Sequence, residues 1–181
     1  RHAFELLGVV HERFGCAWVA IQEHVFDLRE HLLRDVLIHF EHPCVHDSAK
    51  HYFGKRAKLI PVTRAGVVDI EWLTVEMADT RPGLVAVMAA NNETGVIQPW
   101  REILAICQTY EVPFFCDAVQ WLGKMPAKGL GDCDYLTGAA HKFGGPRGVG
   151  FLKVPHKKGT SPLLFGGKQE RGQRAGTENL P

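Results

Sequence analysis

Short apolar, β-rich runs alternate with helix-period segments over most of this chain, the pattern that βα units around a mostly parallel sheet produce. The strand runs are Val36-Leu-Ile-His-Phe40, Lys58-Leu-Ile-Pro-Val62, Leu84-Val-Ala-Val-Met88, Pro113-Phe-Phe-Cys116, Tyr135-Leu-Thr137 and Val149-Gly-Phe-Leu-Lys-Val154. Between them, Ile70, Leu73 and Met77 recur at helical spacing over Ile70 to Ala78, and Ile103, Leu104 and Cys107 do the same over Trp100 to Tyr110. Pro99 suits the first turn of the second helix, and Trp72 and Trp100 fall on the two patterns as packing residues. The opening stretch, residues 1–34, departs from this order. There Phe4, Leu7 and His11 share one helical face and Leu28, Leu32 and Leu33 another, around the apolar run Cys16-Ala-Trp-Val-Ala-Ile21, which reads as helix, strand, helix.

Composition narrows the class without naming a chemistry. A chain of 181 residues, 45% hydrophobic and 23% charged, suits one globular domain with a sizeable core. With 21 basic against 20 acidic residues, the net charge of +1 gives no electrostatic reason to expect nucleic acid or an anionic membrane as partner. The five cysteines are odd in number and form no C-x-x-C pair, so a disulfide framework is not expected and a reducing cytoplasm fits best. No apolar run reaches bilayer length, and Arg-His-Ala-Phe-Glu at the start has no signal-peptide layout. The absence of an initiator methionine and the stop at Pro181, directly after a glycine-rich polar stretch, lead us to expect a fragment.

The candidate chemistry sits where strands end. In open α/β sheets ligands bind outside the carboxyl ends of strands, and Asn91-Asn-Glu-Thr-Gly95, Asp117 and His141-Lys142 each follow such a run. One aspartate after a strand is ordinarily a helix cap and one lysine before glycines is ordinarily solvated. Their convergence points elsewhere. Lys142, between an apolar run and a glycine-rich turn, is placed like a Schiff-base lysine, and Asp117 like the carboxylate that keeps a pyridine nitrogen protonated. His42, in Phe40-Glu-His-Pro-Cys-Val45, could stack on a cofactor ring, and Gln120 and Asn92 could hydrogen-bond its phenolic oxygen. Together these are the parts of a pyridoxal phosphate (PLP) site.

Four runs in one order carry a family resemblance: Ala90-Asn-Asn-Glu-Thr-Gly-Val-Ile-Gln98, Asp117-Ala-Val-Gln120 with Leu122-Gly-Lys124, His141-Lys-Phe-Gly-Gly-Pro-Arg-Gly-Val-Gly150, and Phe165-Gly-Gly-Lys-Gln-Glu-Arg-Gly-Gln-Arg-Ala-Gly-Thr-Glu-Asn179. From about Asp35 to Pro181 the chain resembles the cysteine desulfurase and selenocysteine lyase group of class V aminotransferases. The resemblance implies a partial PLP-binding large domain of fold type I over residues 35–181, an α/β unit of three α/β/α layers with a mostly parallel sheet. It leaves residues 1–34 as a poorly matching helical segment and places the small C-terminal domain outside the chain. It implies a homodimer with active sites at the subunit interface. By the same resemblance Lys142 is the Schiff-base lysine, Asp117 the pyridinium partner, and His42 the stacking residue that assists proton transfer. Asn92 and Gln120 fall on the positions that hold the phenolic oxygen, His141 on a phosphate ligand, and Thr177 on a residue reaching the neighbouring subunit's phosphate. The implied reaction takes sulfur from L-cysteine, leaving alanine and an enzyme persulfide that serves a sulfur-acceptor protein, as in iron–sulfur cluster assembly.

Departures from the family pattern bear on activity. Ala139 stands where a phosphate-binding serine is common, which removes one hydroxyl donor. The glycine-threonine-glutamate turn expected before the His42 strand has no counterpart in residues 1–34. The persulfide-forming cysteine and the carboxylate-binding arginine are expected beyond Pro181. A non-catalytic remnant of the fold, a selenocysteine lyase or another class V aminotransferase are therefore alternative readings.

Other motifs have simpler explanations. His39, His42, Cys44 and His46 form H-x-x-H-x-C-x-H, but alternate strand residues point to opposite faces and Pro43 interrupts the run, so no metal is expected. Gly144-Gly-Pro-Arg-Gly-Val-Gly150 leads into a β-rich run and lacks a G-K-[ST] ending, so it reads as a tight turn beside Lys142. Cys116 and Cys133 read as core residues, and Cys44 is the one cysteine beside a proposed site residue.

Overall fold

The computed structural model describes residues 4–7, 35–38, 41–155, 166–172 and 175–177. Apart from Phe4–Leu7, the helix, strand, helix reading of the opening segment lies outside the described residues, and so does His39.

Among the described residues seven strands form one sheet: β1 (Phe4–Leu7), β2 (Val36–Ile38), β3 (Ala57–Leu59), β4 (Leu84–Met88), β5 (Phe114–Asp117), β6 (Tyr135–Ala139) and β7 (Gly150–Pro155), in the order β1-β7-β6-β5-β4-β2-β3. Neighbours from β3 through β6 are parallel, while β7 runs antiparallel to β6, and β1 antiparallel to β7. The described helices are α1 (Pro43–Phe53), α2 (Ile70–Thr80) and α3 (Trp100–Thr109).

Alternation along the strands divides the core between the two faces of the sheet. Leu37, Val85, Val87, Phe114 and Cys116 pack against Leu73 and Met77 of α2 and Trp100, Ile103 and Cys107 of α3. Val36, Ile38, Leu84, Ala86 and Phe115 turn the other way, onto Val45, Ala49 and Phe53 of α1. This is the expected three-layer α/β/α arrangement with a mostly parallel sheet. β4 is buried at every position, as a strand covered on both faces must be.

Three local readings are corrected. Phe4 and Leu7 belong to a strand, in register with Pro155 and Leu152, and not to a helical face. Two apolar residues three apart are too little to nucleate a helix, whereas the edge of β7 offers ladder hydrogen bonds at once. β3 stops at Leu59, short of Val62, because Pro61 has no amide to donate, and the chain turns there with Val62 bridged to Val68. Pro43, read as an interruption, opens α1: at the first helical position its missing N–H costs nothing. Trp72 and Trp100 pack as expected, the latter fully buried and edge-to-face with Trp121.

Gln98 is a buried polar brace beneath the strand-end loops. Its Oε1 accepts from the Val68 amide (2.9 Å) and its Nε2 donates to the Gly66 carbonyl (2.8 Å). Gln98→Ala would leave both backbone groups without these partners, so we expect a loss of about 2–4 kcal/mol in chemical denaturation of the purified protein.

Candidate functional site

Because β2, β4, β5 and β6 are parallel and adjacent, the residues following them emerge along one carboxyl edge of the sheet. That edge receives His42 after β2, the Asn91–Gly95 turn after β4, Asp117 at the end of β5, and His141 and Lys142 after β6. Six of the predicted site residues, Lys142, His42, Asp117, Gln120, Asn92 and His141, thus share one end of the fold. Thr177 lies exposed in the last described segment.

Asp117 anchors the edge. Its carbonyl accepts from the Ala89 amide of the neighbouring strand end (2.8 Å), and its Oδ1 accepts from the Val119 amide (2.9 Å). Burial pushes the carboxyl's pKa above the ordinary aspartate value, opposed by the Val119 amide and by the charge of His42. The residue as a whole is half-buried.

His42 is the N-cap of α1. Its Nδ1 accepts from the Cys44 amide at 3.3 Å and lies 3.0 Å from the Cys44 thiol. Gln120 is half-buried, and its Oε1 accepts from Lys124 Nζ at 2.6 Å. That contact commits the amide oxygen and leaves the NH2 group as the end with donors to offer. Asn92 is exposed at the tip of a turn that its neighbour builds: Asn91 Oδ1 accepts from the Glu93 and Thr94 amides, each at 2.9 Å.

Lys142 is exposed, on a short 3-10 turn, Ala140–Phe143, that continues directly from β6. The turn closes through the Gly145 amide to the Ala140 carbonyl (2.9 Å), with Gly144 in the left-handed region at φ 88°. The glycine run is therefore a tight turn after the lysine. Ala139 caps the 3-10 turn and contributes no side-chain hydrogen bond to it. Gly138, one step earlier, is required by close approach: a Cβ there would sit 2.5 Å from the Phe151 ring and 2.6 Å from Leu122.

One contributor escaped sequence reasoning, and a second was singled out there without its contact. Glu41, between β2 and His42, has both carboxyl oxygens buried without a hydrogen-bond partner among the described residues. Burial, then the negative charge of Asp117, pushes its pKa well above the ordinary glutamate range; the Met88 amide offsets this in part without meeting hydrogen-bond geometry. The signal was available, since an acidic residue directly prolonging an apolar strand run faces a dry environment. The second is Cys44, which touches His42 only because α1 begins at Pro43. The helix also carries Cys44 and His46 away from strand geometry, and no group of three or more His, Cys, Asp or Glu side chains able to hold a metal occurs among the described residues. Cys116 and Cys133 are both buried in the core.

Glu41 has a consequence for stability. A carboxyl whose folded pKa is raised stabilises the fold while protonated, fully below the ordinary glutamate value, and that contribution is lost as pH rises through the folded value. Glu41→Gln cannot ionise. We expect its melting temperature to match the unsubstituted protein near about pH 4 and to exceed it by a margin that grows toward about pH 8.

The family model described as Aminotransferase class-V matches residues 33–181. The mitochondrial cysteine desulfurase of Arabidopsis thaliana is 44% identical over 142 residues, covering 76% of this chain and 31% of that protein. Cysteine desulfurase IscS of Rickettsia bellii is 41% identical over 147 residues, covering 78% and 35%. Among solved structures, a NifS-like protein superposes with TM-score 0.79 at 35% identity over 97% of this chain and 49% of the other. The NifS-like protein of Rickettsia africae gives TM-score 0.77 at 30% identity over 97% and 47%. The chain thus spans about a third of the length of these curated relatives and about half of the solved chains. Among the described residues no helix is long and apolar enough to cross a membrane. With the family match running through every strand-end motif from Asn91 to Lys142, the chain belongs to the class-V aminotransferase family, in its cysteine desulfurase group.

Proposed function

We propose that this chain is the PLP-binding part of a cysteine desulfurase acting on L-cysteine. The observation that carries the reading is the half-buried Asp117 carboxyl at the end of β5, on the strand-end edge shared with His42 and Lys142: the Val119 amide and His42 offset its burial only in part, which suits it to a cationic ring nitrogen. When bound, PLP supplies an electron sink for the substrate's α-carbon.

The protein's own groups divide the remaining work. Asp117 holds the ring nitrogen's proton by a charge-assisted hydrogen bond. Lys142, free of packing on its exposed turn, provides the amine that anchors the cofactor covalently. His42 covers the ring face, excludes water there and moves a proton. The NH2 groups of Gln120 and Asn92 donate to the phenolic oxygen. His141, on the same turn as the lysine, contacts the phosphate, and Thr177 reaches the phosphate of the second subunit in a homodimer.

Burial raises the thiols of Cys44 and Cys107, and a hydrogen bond with Cys133, then burial, raises that of Cys116, so none is a ready thiolate at neutral pH. We therefore place the sulfur-accepting cysteine outside this set, and a sulfur-acceptor protein after it. The thiols of Cys44, Cys107, Cys116 and Cys133 are free, which suits a reducing compartment such as the cytoplasm.

The test is turnover by the full-length protein supplied with PLP, L-cysteine and a thiol reductant. Alanine and sulfide should appear in equal amounts. Turnover of selenocysteine alone would favour the lyase, amine transfer to a keto acid would favour the aminotransferase, and no turnover would leave a non-catalytic remnant.

A further inference from the structure

Cys44 packs from the start of α1 against the core cluster on that face of the sheet. It is half-buried, is the second residue of α1 after the N-cap His42, and its Sγ lies 3.0 Å from His42 Nδ1. Burial, then the charges of Asp117 and Glu41, pushes the thiol up to about 11. Its thiolate fraction at neutral pH is then on the order of 10⁻⁴, too small for a competent sulfur nucleophile but suited to a hydrogen-bond donor.

The acceptor is defined by the cap. Imidazole Nδ1 has a single lone pair, and the Cys44 amide already points at it from 3.3 Å. The amide can only donate, so in the neutral ring Nδ1 is the acceptor, the proton sits on Nε2, and the thiol 3.0 Å away shares that lone pair in a three-centre bond. We propose that Cys44 is a positioning residue for His42: its thiol donates to Nδ1, fixing the ring's rotamer and tautomer so that proton transfer runs through Nε2 alone. The proposal deepens the cofactor-site reading and rests on it for its catalytic consequence, because only a His42 placed against the cofactor turns a fixed tautomer into a directed proton. The geometric part stands on the capped helix itself.

The experiment combines vibrational and magnetic resonance spectroscopy of the full-length protein. The S–H stretch of thiols falls in a window free of other protein bands and shifts on hydrogen bonding. Without added PLP, we expect a shifted S–H band that Cys44→Ala removes and His42→Phe returns to the unbonded frequency. The ¹⁵N spectrum should show His42 Nδ1 as an acceptor and Nε2 as the N–H. Cys44→Ser, which keeps a donor on the same Cβ, should preserve that ¹⁵N pattern. In the PLP-loaded enzyme, Cys44→Ala should lower kcat about 2–10-fold with KM and cofactor absorbance unchanged, and Cys44→Ser should restore it.

A Cys44 S–H band at the unbonded frequency, an N–H at His42 Nδ1, or an unchanged kcat in Cys44→Ala would overturn the proposal. Should Cys44→Ala fail to fold, Cys44→Ser and the spectra of the unsubstituted protein decide it. Failure of the cofactor reading is separable: it shows as absence of PLP binding, whereas the spectra without cofactor test Cys44 and His42 directly.

Discussion

Replacing Lys142 by alanine is expected to remove the visible absorption that PLP acquires on covalent attachment, and to lower desulfurase turnover by on the order of 10³-fold or more. Both effects follow from the proposed role of one amine, which would anchor the cofactor covalently. The fold should survive. Lys142 is exposed on the Ala140–Phe143 turn, and the hydrogen bond that closes this turn runs between the backbones of Gly145 and Ala140. Surface substitutions of this kind shift stability by roughly 0.5 kcal/mol or less. Circular dichroism and thermal melting should therefore match the unsubstituted protein while the PLP spectrum does not. A visible band that persists in Lys142→Ala would remove the residue from its assigned role and weaken the whole site with it.

Much of this arrangement was legible because the informative signals were local. Leu84 to Met88, Tyr135 to Thr137 and the helices from Ile70 and Trp100 were read to within a few residues, since buried strands and amphipathic helices write their period directly into the sequence. The strand-end residues followed from those strands. Misreadings arose where a tertiary partner decided the outcome. Phe4–Leu7 is a strand because β7 lies beside it, a fact encoded some 150 residues away in Leu152 to Pro155. α1 was missed because Pro43 reads as a breaker in a strand and as a starter in a helix, and only the end of β2 at Ile38 shows which applies. The pairing of Glu41 with Asp117 was invisible for a related reason: β2 and β5 are separated by β4 in the sheet and by many residues in sequence, and only the strand order brings the two carboxyls near one another. The family resemblance supplied the roles proposed for His141 and Thr177, which periodicity could not, because contact with a ligand leaves no trace in the packing pattern.

Asp117→Asn separates stability from function at the same atom. The substitution keeps the shape of the side chain and an oxygen to accept from the Val119 amide, but removes the charge. In the protein without cofactor that charge is a liability: burial raises the carboxyl's pKa, so its stabilising protonated form is fully present only below the ordinary aspartate value and is lost as pH rises through the folded value. Neutral asparagine escapes this cost, and the cofactor-free variant should melt at or above the temperature of the unsubstituted protein at neutral pH. With PLP present the balance reverses. On the proposed role of Asp117, a neutral amide would stand where a carboxylate would hold the ring nitrogen's proton, and the electron sink that PLP supplies would be weaker. We expect kcat to fall by about 10²–10³-fold, the range for removing one preorganised electrostatic partner, with a smaller loss of cofactor affinity. Paired measurements of melting temperature without PLP and kcat with it test the argument. A variant that is destabilised without cofactor, or that retains full turnover, would show that the Asp117 carboxylate serves the fold and not the ring.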